Sequence, residues 1–262
     1  MTQEKLWKQM IQPGITAIVG AGGKTTVLTK LAEYSCAWRQ PVVVSTTTKL
    51  LLSQVERWNP YFGTEFAEAE AHCSKAVIND TCGAWFRGVN EEQKVTSVEP
   101  AWLDHLHMVH PNWTILVEAD GARAKWLKAP KSTEPVIPKH TAQTIGVVNF
   151  HILGEVLDTT LVHNIDLVSD IMNCSIGEKV TPKMLMKLVR HQNGIFQYSQ
   201  GKRILFCTGY DQVDHQLVNA FLDEMAATME HTKLPLAFIV LADGYKDTCT
   251  INKIINWRTQ EK

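Results

Sequence analysis

Residues 15–26, ITAIVGAGGKTT, decide how the chain reads. An apolar β-type run stops abruptly at glycines, and Lys24 and two threonines follow. Glycines without Cβ let the backbone curl close to a polyanion, and a helix starting there turns its unpaired N–H groups towards bound phosphates. Lys24 adds a point charge, and Thr25 offers a hydroxyl to Mg²⁺. The spacing is GxxGKT, from Gly20 through Ala21, Gly22 and Gly23 to Lys24 and Thr25, with Thr26 next; the longer GxxxxGK[ST] loop would need glycine where the chain has Ile18. The dinucleotide pattern GxGxxG fails, because Thr25 takes the third glycine's place and the region about twenty residues on is Ser-Thr-Thr-Thr, with no acid for a ribose. Nucleotide phosphates therefore fit better than NAD. A glycine-rich strand-to-helix turn with an exposed lysine is the plain alternative.

Downstream context supports the loop. Residues 25–36 carry Val27, Leu28, Leu31 and Ala32 at helical spacing, so Lys24 falls in the first turn of a core-facing helix. After Pro41, residues 42–44 form an apolar strand of the kind buried on both faces in a parallel sheet. It empties into Ser45, Thr46, Thr47, Thr48 and Lys49. Thr46, Thr47, Thr48 and Lys49 at the carboxyl end of a strand suit contact with a nucleotide or Mg²⁺; a β-propensity run ending at a solvated lysine has the same composition. Residues 53–100 mix a helical piece at 65–71 with short segments at 76–78 and 84–89, and read as a small hairpin or insertion. Trp102, Leu103, Leu106 and Val109 give a short amphipathic helix that Pro111 stops.

The second informative stretch is WTILVEADGARAKWLKAP, residues 113–130. Ile115, Leu116 and Val117 form a buried strand that ends in Glu118 and Asp120 before Gly121. Alternation puts the two carboxylates on one side of the strand. In phosphate-loop proteins such a carboxylate holds Mg²⁺ or positions the nucleophile, so one is expected to serve the metal and the other to act as a base. Arg123, Lys125, Lys128 and Lys131 follow, then Lys139 and His140. Arg123 and Lys128, so near the carboxylate turn, are candidates to clamp phosphate or another acidic group; Lys125 and Lys131 suit a solvated face equally well.

The second half continues the α/β logic. Strands are expected at 145–150, 204–206 and 236–241, the last of the series, with a helix face through Val213, Leu217, Ala220, Phe221 and Met225. Thr181 and Pro182 form an N-cap and first-turn pair for a helix ending near His191, with Gly194 closing it. His163 reads as a ligand-facing or a structural histidine. No repeat or linker divides the 262 residues, so a single domain, 1–262, is expected. Lys and Arg total 26 against 27 acids, a formal net charge of -1, which gives no polyanion-seeking surface and no reason to expect nucleic acid binding. The amino-terminal residues lack a secretory pattern, no apolar run approaches a membrane span, and six scattered cysteines without a CxxC pair read as reduced thiols of a cytoplasmic protein. His72 beside Cys73 has the wrong spacing for a chelate.

With GAGGKTT, STTTK, VEADGA, LKAP and EPVIP in this order, the chain resembles the YqeC family, accessory proteins associated with selenium-dependent molybdenum hydroxylases. The resemblance implies a P-loop NTPase-like α/β fold with a mostly parallel sheet. It also implies a nucleotide-binding protein, using ATP or GTP with Mg²⁺, that acts in maturation of a selenium-containing molybdenum hydroxylase. Carried over by position, Gly20 to Thr26 are the phosphate loop, Thr46 to Lys49 a second nucleotide-side loop, and Glu118, Asp120 and Arg123 the acidic turn. Where a GTPase-like protein would show Asn-Lys-x-Asp after its late strand, this chain has Thr208, Gly209, Tyr210 and Asp211, so the amide that reads guanine is missing and ATP is at least as suitable as GTP. Two other readings stay open. One is a small-molecule kinase or ligase-like phosphotransferase, since GxxGKT also resembles the Mur ligase loop, with Arg123 and Lys128 holding an acidic acceptor; the other is a non-catalytic module that senses nucleotide or binds the hydroxylase.

Overall fold

Fully apolar runs and amphipathic segments alternate along the chain, and each settles into the element its period dictates. The computed structural model describes residues 1–231, 236–246 and 248–256. Helix α1 (Gln3–Trp7) buries Trp7 and leads into β1 (Gly14–Gly20), buried at every position as a strand covered on both faces must be. The strand breaks at the glycines, and α2 (Lys24–Ala37) begins on Lys24. Buried β2 (Val42–Thr46) follows, then β3 (Leu50–Leu51), α3 (Leu52–Val55), β4 (Tyr61–Phe62), α4 (Phe66–Ile78), β5 (Gly83–Phe86) and β6 (Lys94–Val95). Helix α5 (Pro100–Val109) opens on Pro100, whose missing N–H is harmless in a first turn. Next come β7 (Thr114–Glu118), β8 (Leu127–Lys128), β9 (Thr141–Asn149), β10 (Val162–His163), α6 (Ile165–Met172) and α7 (Pro182–Arg190). The chain then forms β11 (Lys202–Thr208), α8 (His215–His231), β12 (Leu236–Asp243) and β13 (Thr250–Asn256).

Among the described residues, nine strands form one sheet in the order β13-β12-β11-β9-β1-β7-β2-β5-β4. The pairs β1 with β7, β2 with β7, β2 with β5, β4 with β5 and β11 with β12 are parallel, and β13 lies antiparallel on β12. This is the α/β class with a mostly parallel, helix-flanked sheet that the sequence led us to expect. Its register sets Glu118 opposite both Ile18 and Thr46, so β1, β2 and β7 end at one level. Residues 53–100 contribute in two ways: β6 closes a short antiparallel pair with β3, while β5 and β4 extend the main sheet. The piece at 76–78 is the end of α4 rather than a separate segment. Residues 236–241 are not the last strand, because β13 follows; its mostly exposed pattern lacks the apolar run that marks the buried strands.

Residue contacts divide the chain into two units, one comprising Met1–Ile18, Val27–Gly121 and Val136–Gln143, the other Val19–Thr26, Ala122–Pro135 and Thr144–Lys262. In the first unit, Ile15, Val43, Cys73, Trp85, Leu103, Leu106, Ile115 and Val117 share one buried cluster. Trp85 stacks on Trp102 at 5.6 Å with an interplanar angle of 4°. In the second, Phe150 meets Phe221 edge-on at 5.3 Å, and Leu188, Val189, Leu205, Phe206 and Met225 are also buried.

Candidate functional site: the phosphate loop and the strand-end carboxylates

The loop's shape follows from its glycines. Gly20, Gly22 and Gly23 adopt φ of +94°, +79° and +134°, where L side chains are strained. A Cβ on Gly20 would stand 2.2 Å from the Val147 carbonyl oxygen, and one on Gly22 would stand 2.4 Å from Asn149 Cβ, so the loop lies directly against the end of β9. The Ala21 N–H donates to Val147 O at 2.9 Å. Lys24 is 4% exposed, and its ammonium donates to Gly20 O at 2.8 Å, which folds the side chain back over the curl of the loop. The Thr26 hydroxyl is directed at the carbonyls of Tyr245 and Lys246, at 2.9 and 2.8 Å, and so anchors the loop to the segment after β12.

Thr208 and Asp211, which the sequence marked only as a departure from a guanine-reading motif, and Asn149 and His151, which it did not mark, belong to the segments around this loop. The Thr208 hydroxyl, at the position where a guanine-reading amide would stand, donates to Gly22 O at 2.6 Å. Asp211, the last residue of that tetrad, accepts the Gly244 N–H at 2.8 Å. Both groups hold backbone in place. Asn149 accepts the His151 N–H through Oδ1, which fixes its amide orientation; its Nδ2 and the Nε2 of His151 are buried with no hydrogen-bond partner among the described residues. Burial pushes the His151 pKa down against the opposing pull of Asp211 and Glu155, so the ring is neutral. Trp126, His151 and Tyr245 meet edge-to-face, with centroids 5.3 to 6.5 Å apart. The signal available in the sequence was a polar Asn-x-His directly after an apolar strand.

In the first unit, β7 ends at Glu118 and Asp120 follows two residues on; they are 5% and 3% exposed. Thr46 donates its hydroxyl to Glu118 O at 2.8 Å and accepts the Thr48 N–H, while the Thr47 N–H donates to the same carbonyl at 3.1 Å. The Thr47 hydroxyl donates to Val136 O at 2.6 Å. The threonine run therefore braces the carboxylate turn through two of its hydroxyls; Thr48 is half-buried and Lys49 exposed. Thr25, in the loop, and the carboxylates of Glu118 and Asp120 are hard oxygen donors of the kind Mg²⁺ takes. No group of three or more His, Cys, Asp or Glu among the described residues forms a metal cage of its own. Within the first unit, the buried carboxylates of Glu118 and Asp120 match the one or two carboxylates that a protein commonly gives Mg²⁺.

Among the remaining candidates, Arg123 is exposed and, like Ala124, sits at positive φ, whereas Lys128 is buried against Glu134. None of the six cysteines forms a disulfide; burial raises the Cys73 thiol to about 12 and pushes Cys207 well up, so both are inert core thiols. Among the described residues, no helix is long and apolar enough to cross a membrane.

A nine-stranded, mostly parallel sheet flanked by helices, with a glycine turn leading from β1 into α2, defines an α/β protein. The chain belongs to the YqeC family: the model of the YqeC protein family matches residues 16–166. It is 31% identical over 214 residues to "Uncharacterized protein YqeC" of Escherichia coli (strain K12), covering 80% of this chain and 82% of that one. No solved structure matches.

Proposed function

We propose that this chain binds a nucleoside triphosphate, ATP or GTP, with Mg²⁺ on the loop from Gly20 to Thr26, and turns it over by hydrolysis or phosphoryl transfer. The observation that carries this reading is the preformed loop, in which three left-handed glycines curl around a buried Lys24 at the start of α2. A preset arrangement of amides and an ammonium stabilises phosphate charge without reorganising as the ligand binds. Gly20, Ala21, Gly22 and Gly23 supply backbone, Lys24 the cation for the phosphates, and Thr25 an oxygen for Mg²⁺. Glu118 and Asp120 serve the metal shell or the attacking water, the usual work of carboxylates in phosphoryl transfer. Thr208 braces the loop where a guanine-reading amide would be, which supports ATP as readily as GTP.

The family resemblance supports a further step, that turnover serves maturation of a selenium-dependent molybdenum hydroxylase as an accessory factor. Titration of a fluorescent ATP analogue with Mg²⁺ tests the core of the proposal. The intact chain should saturate, and Lys24→Ala should weaken binding at least tenfold; equal affinities for the two would overturn the assignment.

A further inference from the structure

The LKAP and EPVIP stretches, residues 127–130 and 134–138, have no part in the nucleotide reading, yet the chain that joins them helps to form a cavity whose lining lies wholly in the second unit. The cavity measures about 440 Å³, within the range of about 300–1,000 Å³ usual for small-molecule sites. Pro130 and Ser132 contribute to it, with Leu167, Asp170 and Ile171 from α6 and Gln197 and Tyr198 from the segment after α7. These pieces are tied together. The Tyr198 hydroxyl donates to Ser132 O at 2.9 Å, and the amide nitrogen of Gln197, a residue only 5% exposed, donates to the carbonyls of both Lys131 and Glu134.

Those bonds engage both N–H groups of the Gln197 amide, which fixes its orientation and leaves Oε1, an acceptor, with no hydrogen-bond partner among the described residues. The other polar side chains of the lining besides Asp170, those of Ser132, His191 and Asn193, are exposed, and His191 Nδ1 accepts the Asn193 N–H. Of the Asp, Glu, Lys and Arg side chains among the described residues, only Asp170 takes part in the lining, and it has no ion-pair partner among them. Lys187 directs its ammonium to Met172 O at 2.7 Å, at the end of α6. An oxyanion in the cavity would therefore meet a carboxylate and a carbonyl oxygen, whereas a cation bearing N–H groups finds an acceptor in each. Pro130, Leu167 and Ile171 suit an apolar body, and the ring of Tyr198 is a surface that organic cations favour.

We propose that this cavity binds a small organic cation, an amidinium, guanidinium or primary ammonium group on an apolar body, with Asp170 facing its charge and Gln197 Oε1 accepting one of its N–H groups. The cavity shares no residue with the loop from Gly20 to Thr26, and the proposal stands or falls independently of nucleotide binding.

The probe is benzamidine, titrated into the full chain and followed through backbone amide shifts in NMR spectra, with uncharged benzamide as its isostere. Benzamidine should shift the amides of Asp170, Ile171 and Gln197 saturably, and benzamide should bind more weakly by roughly three- to tenfold, the worth of a charge-assisted contact partly screened by water. Asp170→Asn keeps the shape of an exposed side chain and is expected to fold; it should weaken benzamidine by a similar factor and leave benzamide as it was. Asp166→Asn changes an exposed acid on the same helix, outside the lining, so it controls for loss of charge alone and should bind benzamidine as the intact chain does. Equal affinities for benzamidine and benzamide overturn the proposal, as does an Asp170→Asn protein that binds benzamidine as tightly as the intact chain or an equal loss in Asp166→Asn. Shifts confined to residues outside the lining, or a titration that never saturates, overturn it too. Unchanged ATP affinity in Lys24→Ala would instead sink the nucleotide reading and leave this one in place.

Discussion

A single methyl group at Gly20 meets the Val147 carbonyl oxygen at 2.2 Å in a conformation that L residues avoid. Since the clash is with backbone, the loop or β9 must move, and Gly20→Ala should lose about 1–3 kcal/mol of stability together with nucleotide affinity. Urea denaturation measures the first and titration the second. Thr208 acts on the loop from the other side. Replacing it with valine keeps its shape but deprives Gly22 O of its donor, with an expected loss of about 1–3 kcal/mol and weaker nucleotide binding; unchanged stability would show that the hydroxyl holds nothing. The turn through the glycines into the helix that starts at Lys24 was legible in the sequence because it is local. Thr208 was legible as the residue in place of a guanine-reading amide but not as a donor to Gly22 O, and Asn149 was not legible, since their contacts with Gly22 join distant strands and exist only once the sheet is ordered. The hydroxyls of Thr46 and Thr47 were legible as polar groups at a strand end, but not as donors to the carbonyls of Glu118 and Val136.

At the scale of elements, caps and side-chain clasps join pieces that propensity alone leaves loose. Thr181 accepts the Met184 N–H at 3.3 Å at the start of α7, the cap that Thr-Pro announced, and Thr181→Ala should destabilise the protein by about 1 kcal/mol in thermal or urea melts. A second clasp joins α4 to the end of α5. His110, stacked on Trp113 at 3.7 Å, lies 2.7 Å from Glu70, which also accepts the Ser74 hydroxyl. The His110 hydrogen bond first, then Ser74, hold the Glu70 carboxyl below its usual range. A carboxyl more acidic folded than unfolded adds stability above its unfolded pKa and loses it as pH falls through the folded value. Stability should therefore drop on acidification below the ordinary carboxylate range, and Glu70→Gln should flatten that part of the profile in melts taken across it. The cap was legible because it is local. The clasp was not, for its partners are 40 residues apart. Strand β13 escaped for a related reason: on an antiparallel edge most of its side chains meet water, so no buried run marks it.

For the whole molecule, the order of motifs carried more than composition did. A near-neutral charge and an apolar content of 45% describe a great many α/β proteins, whereas a glycine loop after one buried strand and paired acids after another restrict the sheet's layout. What the order could not convey was how contacts partition the chain, because the units interleave and their boundaries fall inside β1 and β9. The nucleotide reading has a consequence at this scale. A ligand bound only by the native state stabilises it by about 2.7 kcal/mol at a hundredfold excess over Kd. For chains of about 150–250 residues each kcal/mol moves Tm by about 2–4 °C, so Mg²⁺ with a non-hydrolysable ATP analogue should raise Tm by roughly 5–10 °C. Lys24→Met removes the ammonium that donates to Gly20 O while keeping much of the buried stem, so its own Tm should fall and its response to nucleotide should disappear. Chelation of Mg²⁺ should shrink the response of the intact chain, since on the proposed reading the cation offsets the charge of the triphosphate. A Lys24→Met protein stabilised as strongly as the intact chain would place the nucleotide away from the loop, however well the glycines are shaped to receive it.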